Sequence, residues 1–288
     1  ALANLDEAAT LDMLGEGWPV LILSPLLPAE RKYLFETRAI PMLSSAEEVA
    51  AFEKLAARYN EVRPVQIKVD TGMGRAGVWH RDTAPMKEAL QKARHLEVCG
   101  VCTHFPDADR DLDLTRTQRN RFLRALKSLS LKTGNIWIHA DNSAGLESFP
   151  ADGPFNGARI GLLQFGVQPH SGSLLRNLTV QPVLSLHSRI ALVKELPAGT
   201  AISYGQTHRL RRRARIAVLA GGYGDGIPTS LANRGEVTIR GRKCPVLGRV
   251  TMDQTVVDVS SLPKVEAGET GTWIGEDGES RITTEQFA

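Results

Sequence analysis

The sequence predicts an α/β chain: a (β/α)8 TIM-like barrel with its first units missing, followed by a mostly β C-terminal domain. Three observations carry this. Short apolar runs alternate with helical patterns as far as about residue 170, and repeated strand-helix alternation makes a parallel sheet with helical crossovers. The polar residues that stand out in this half fall at the C-terminal ends of runs, where barrels and open α/β sheets both build their sites; the number of units favours the barrel. Beyond about residue 175 the helical period disappears, and β-rich runs separated by Gly-rich turns replace it.

The elements follow in order. The opening ALANLDEAATLDML places Glu7 three residues after Asn4, the spacing of a helix N-cap and its reciprocal partner. A helix is expected over Leu5–Leu14, with Ala1 and Leu2 as the tail of an earlier strand and one or two barrel units expected ahead of it. Strands are expected at Pro19–Ser24, Ala39–Leu43, Val65–Asp70, Leu96–Phe105, Ile136–Ser143 and Ala158–Gly166. Helices are expected at Ala46–Tyr59, Ala84–Arg94 and Thr115–Leu129, where apolar residues recur at three-to-four spacing. In the second half, Leu184–Leu196, Arg215–Leu219, Glu236–Ile239, Pro245–Val250 and Gln254–Val259 read as strands. The expected domains are residues 1–174 and 175–288.

Bulk properties exclude several classes. The 288 residues hold 35 basic and 32 acidic side chains, a formal charge of +3, too even to call for nucleic acid or an anionic membrane as partner. No apolar run reaches about 18 residues, so no transmembrane helix is expected. Three cysteines are too few and odd in number for a disulfide framework, which favours a reducing, cytoplasmic setting. Cys99 and Cys102 form a CxxC, but no second pair or zinc-spaced histidines accompany it, so no metal site is expected. The basic run His208–Arg215 lacks an interleaved aromatic platform and reads as a solvated loop or strand edge.

Chemistry-bearing residues cluster at run ends. VDTGMGRAGV, residues 69–78, carries Arg75 among three glycines whose spacing fits neither a P-loop nor a dinucleotide turn. Asn142-Ser143 and Gly161-Leu162 end the last two runs, where such barrels often hold a phosphate; a simple chain turn would use the same residues. Arg159 is a structural ion-pair member or faces a ring or anion in the barrel mouth, because a buried arginine is costly unless paired. His104 is a core histidine or a ligand. Tyr204 transfers protons only if its surroundings lower a pKa near 10.

Taken in order, KVDTGMGRAGV, THFPDAD, HADNSAG, ARIGLLQFG, ISYGQT, GGYGDG and GRVTMDQ resemble the pyridoxal-phosphate-dependent alanine racemases. The resemblance spans nearly all of the chain. It implies a barrel and a β domain assembled as a homodimer with shared active sites, interconverting L- and D-alanine with pyridoxal 5'-phosphate and supplying D-alanine for peptidoglycan. Ser143 and the N–H groups of Gly161 and Leu162, beside Asn142, would hold the phosphate. His104 would lie against the pyridine ring and Arg159 would face its nitrogen. Tyr204 of the partner subunit would serve one face of the α-carbon, with His139 drawing off its proton, and a Schiff-base lysine the other. Arg75, the backbone N–H of Met252 and Asp253 would meet the substrate carboxylate. Lys68 matches a position that is often carbamylated and would orient Arg75.

The chain departs from the family pattern in places. The Schiff-base lysine is expected on a first barrel strand that the chain lacks, and no other lysine replaces it. A tyrosine near the C-terminus is absent too, and Gln164-Phe165 stands where Met-Tyr is usual. These departures keep two alternatives open: a broad-specificity amino-acid racemase, or an inactive fragment of the same fold. Arg159 argues against a related barrel decarboxylase, which usually places a glutamate there.

Overall fold

The computed structural model describes residues 1–15, 17–131, 133–146, 152–168 and 178–287. It divides into two compact units, Ala1–Gln164 with Gln168–Val180, and Phe165–Val167 with Gln181–Ala288. The expected domain boundary at residues 174 and 175 lies outside the described residues.

The first unit runs α1 (Leu5–Met13), β1 (Val20–Ile22), β2 (Ala39–Leu43), α2 (Ala46–Tyr59), β3 (Arg63–Asp70), β4 (Val78–Trp79), α3 (Ala84–Lys92), β5 (Leu96–Cys102), α4 (Leu112–Leu129) and β6 (Trp137–His139). Local chemistry sets the helix starts. Asn4 Oδ1 accepts the Glu7 N–H at 2.9 Å while the Glu7 carboxylate accepts from Ala3. Ser45 and Asp111 cap α2 and α4 in the same way. Such caps contribute about 1 kcal/mol each.

The strands form a parallel sheet in the order β1-β2-β3-β5-β6, with β4 beside β3. Leu2 bridges Ile22 in parallel, continuing the sheet outward. On β3 the alternation is strict. Val65, Ile67 and Val69 join the apolar core with Phe52, Met86 and Phe122 from the helices. Gln66, Lys68 and Asp70 take the opposite face and are also buried. A parallel sheet with helices on one face and buried polar groups on the other is a barrel wall.

The run Ala158–Gly166 is not a ladder strand. The one bridge, Gly157 to His139, falls just before it; the Arg159 N–H then donates to the Asp141 carbonyl at 2.8 Å, and a 3₁₀ turn covers Leu162–Phe165. Ahead of the bridge, the Asn156 side chain binds the Ile138 N–H at 2.7 Å and the Ile136 carbonyl at 3.0 Å.

The second unit is antiparallel: β7 (Leu186–Leu196), β8 (Ala201–Ile202), β9 (His208–Arg209), β10 (Ala214–Ala220), β11 (Glu236–Ile239), β12 (Arg242–Pro245), β13 (Gln254–Asp258), β14 (Thr270–Asp277) and β15 (Ser280–Ile282), then the short α5 (Thr284–Phe287). The main sheet runs β12-β11-β14-β7-β10-β13, with β15 beside β14. Trp273 sits fully buried in its core. Beyond Pro245, which ends β12 opposite Glu236, the run Pro245–Val250 is not a strand: Val246 makes a single bridge to Val257, and Gly248, at φ +74°, packs so closely on the Ile202 carbonyl that a Cβ would meet it at 2.7 Å. The hairpin β14–β15 went unassigned in the sequence.

Candidate active site

The polar face of the barrel sheet gathers cations at the strand ends. Lys68 lies near the end of β3. The chain then folds back, so that Val78 and Trp79 pair with Val69 and Asp70. Asp70 Oδ1 accepts the N–H groups of Gly72 at 2.9 Å and Gly74 at 3.2 Å. A Cβ at Gly77, where φ is +118°, would lie 2.7 Å from the Asp70 nitrogen, so only glycine allows the return. Met73 and Ala76 in this loop, with exposed Arg75, line a narrow cleft shared with Lys68, Thr103 and His104. The glycines of residues 69–78 thus present a cation beside the strand ends. Behind them, the Thr71 and Thr103 hydroxyls bond each other at 2.7 Å, and Arg121 on α4 donates to the Thr71 carbonyl.

Arg159 occupies the middle. It donates to the carbonyls of Thr103 (2.6 Å), Ala140 (2.9 Å) and His139 (3.3 Å), and to Nδ1 of His139 (2.6 Å) and of His104 (3.2 Å). Each of these partners is neutral. The guanidinium is held by backbone dipoles rather than by an ion pair, so its charge is not cancelled where it stands.

Electrostatics follow from burial and this charge. His139 is pushed down to about 3 and His104 to about 4, in each case by burial first and then by Arg159 and Lys68. Both imidazoles are neutral at neutral pH. Burial, with Arg159 and Arg75 adding to it, lowers the Lys68 ammonium from its usual range. Burial raises the Asp141 carboxyl.

Two loops frame the cations. Asn142 uses both ends of its amide on the backbone, donating to Phe105 O and accepting from Gly145 N. Its part is to shape the turn that presents Ser143. The buried Ser143 hydroxyl accepts the N–H of Gly161 at 2.9 Å and of Leu163 at 3.4 Å. Amides converging on one oxygen are what an anion needs.

His139 is 2% exposed, and both its nitrogens are engaged, Nδ1 with Arg159 and Nε2 with Gln66.

Tyr204, Met252 and Asp253 belong to the second unit. Tyr204 is 73% exposed. It follows Ser203, at φ 61° and ψ −175°, a region that side chains rarely occupy. The Ser203 hydroxyl fastens this turn to the Arg249 carbonyl at 2.7 Å, on the segment leading to Met252. There Tyr223 and Gly224 donate to the Thr251 and Met252 carbonyls, each at 2.9 Å. All three expected residues therefore project from fastened turns.

Among the described residues, no three His, Cys, Asp or Glu side chains gather as a metal site would, and no helix is long and apolar enough to cross a membrane. Gln66 was missed in the sequence; its inward phase on β3, shared with Lys68, was the available signal.

Comparison with known proteins gives consistent matches. Residues 1–169 match the family described as alanine racemase, N-terminal domain, and residues 183–288 its C-terminal domain. An alanine racemase of Halothermothrix orenii is 38% identical, over 100% of this chain and 76% of that protein. The crystal structure of alanine racemase from Bacillus anthracis with bound L-Ala-P superposes with a TM-score of 0.88 at 31% identity, covering 99% of this chain and 74% of that one. Alanine racemase from Bartonella henselae with covalently bound pyridoxal phosphate has a TM-score of 0.83 at 24% identity, covering 99% of this chain and 77% of that one; at that identity it speaks to the fold.

Proposed function

The chain belongs to the alanine racemase family, and we propose that it is an isomerase interconverting L- and D-alanine with pyridoxal 5'-phosphate. The observation that carries the cofactor reading is Arg159, an uncancelled cation held by three carbonyls and two imidazoles at the strand ends. The residues fit the cofactor. Ser143 and the amides from Gly161 to Leu163 would hold its phosphate, His104 would lie against its ring, and Arg159 would donate to its ring nitrogen. Bound there, the cofactor supplies an electron sink that acidifies the α-hydrogen of alanine, a weak one when its nitrogen accepts rather than carries a proton.

The chain's own residues would do the rest. Arg75, the Met252 N–H and Asp253 form the wall for the substrate carboxylate. Tyr204 moves the proton on one face. Lys68, its ammonium already weakened by burial, suits carbamylation, which requires a neutral amine, and the carbamate would orient Arg75. Among the described residues of the first unit, Lys68 is the lysine near a strand end; Lys32, Lys54, Lys87, Lys92 and Lys127 lie on helical segments. The base for the second face is left unassigned. We take the enzyme as a homodimer in which the exposed Tyr204, Met252 and Asp253 complete the partner's site, and as a cytoplasmic supplier of D-alanine for peptidoglycan.

The test is formation of D-alanine from L-alanine, followed by chiral chromatography with and without added pyridoxal phosphate. Cofactor-dependent D-alanine is expected, with Ser143→Ala weakening cofactor binding by roughly tenfold, the size of a lost charge-assisted hydrogen bond. Tight cofactor binding that ignores both Ser143 and Arg159 would remove the basis of the assignment.

A further inference from the structure

Gln66 is a buried amide one turn of the strand alternation below Lys68, and nothing assigned so far uses it. Gln66 stands on β3 and His139 on β6, with β5 between them. They meet across Gly100: an added Cβ there would lie 2.7 Å from Gln66 Cδ and 3.0 Å from the Trp137 carbonyl. Gly100 faces Gln66 because β5 carries an extra residue. Val98 pairs with Val65 and Gly100 with Gln66, leaving Cys99 as a bulge. Bulges beside active sites commonly re-aim a side chain. The Cys99 thiol itself donates to the Val65 carbonyl at 3.4 Å.

Hydrogen-bond directions then become determined. Arg159 Nη1 can only donate, so His139 Nδ1, 2.6 Å away, must present its lone pair. A neutral imidazole has one proton, which must sit on Nε2. Gln66 Oε1 lies 2.8 Å from Nε2 and accepts it. The charged and titratable groups facing the ring are Arg159, Lys68 on β3 and Cys102 on β5.

We propose that Gln66 is a positioning residue that holds the His139 ring against Arg159 by accepting the Nε2 proton of the tautomer Arg159 imposes, and that Gly100 and the Cys99 bulge exist to let the two meet. Its consequence is that His139 cannot add a second positive charge beside Arg159, which keeps the guanidinium facing a neutral acceptor. The value of this to catalysis rests on the racemase reading; the tautomer itself does not.

The experiment is side-chain ¹⁵N NMR of histidine-labelled chain without cofactor, with the His139 signals identified by their loss in His139→Gln. The wild type should show one Nε2–H tautomer at neutral pH and no protonation down to mildly acidic pH. In Gln66→Leu Arg159 still sets the tautomer, and the Nε2 proton, left without its acceptor, should shift upfield. In the isosteric Gln66→Glu, a carboxylate facing Nε2 should shift His139 protonation upward by more than one pH unit, a tenfold or greater change in proton affinity, and should move the acid limb of any racemase pH profile in the same direction. Gln66→Glu also serves if Gln66→Leu does not fold. An unchanged Nε2–H shift and an unchanged titration in the variants that fold would overturn the proposal, whatever the activity shows. The expected NMR changes without racemase activity would leave Gln66 in place and count against the functional reading alone.

Discussion

The two units hold their chemistry in opposite ways. In the first, Arg159 is half-buried and fixed by five hydrogen bonds to neutral groups. In the second, Tyr204 is 73% exposed and is presented by a strained backbone at Ser203. The interior residue is determined by packing, so its removal should damage stability and function together. The exposed residue contacts little, so its removal should damage function alone. Preorganised interior dipoles build an electrostatic site; an exposed, fastened turn suits a group that acts on something outside its own unit.

The sharpest way to break the comparison is Tyr204→Phe. The racemisation rate should fall by about 10²- to 10⁴-fold, the usual weight of a proton-transfer group, while the urea midpoint stays put. A shifted midpoint would mean that the tyrosine supports the fold. Arg159→Leu should behave oppositely: three carbonyls lose their donor, and unfolding free energy should drop by about 3 kcal/mol or more, with cofactor affinity falling alongside. Equal stability of Arg159→Leu and wild type would show that the carbonyls find other partners.

Acidification comes next. His104 and His139 have folded values of about 4 and about 3 against an ordinary 6.5. The unfolded chain therefore binds more protons between about 3 and 6.5, so stability is full above that window and is lost as pH falls through it. Thermal midpoints at pH 8 and pH 5 should show the drop, and His139→Gln should reduce it. The smallest effect is expected from Ser203→Gly. Relief of about 1 to 3 kcal/mol of strain is offset by about 1 kcal/mol from the lost hydroxyl bond. Stability should change little, while activity falls several-fold because Tyr204 is less firmly held.

The sequence was most legible where local rules and burial agree. The run Val65–Asp70, the cap at Asn4 and the three-to-four spacing of Ala46–Tyr59 correspond to an observed strand and observed helices. The cations at the strand ends also come together. Features that depend on register were not legible. The Cys99 bulge looks like any strand residue, so the pairing of Gln66 with His139 had no sequence signal beyond a polar residue in the inward phase. Ala158–Gly166 has strand composition, but after the Arg159 N–H binds Asp141 the chain turns into the 3₁₀ segment Leu162–Phe165. Pro245–Val250 fails because Gly248 must turn. The partners of both His139 nitrogens, Arg159 and Gln66, likewise cannot be read from a motif.

The bulge at Cys99 works as a change of phase within one strand. Before it, Val98 packs with the helices; after it, Val101 does so again, three residues on instead of two or four. Deleting Cys99 would restore an uninterrupted alternation in which Gly100 still faces Gln66 and Val101 still faces the helices. The extra residue therefore adds spacing to one strand without changing which face the residues beyond it take, and the cost of its loss should fall on the fit between Gln66 and His139 rather than on the core.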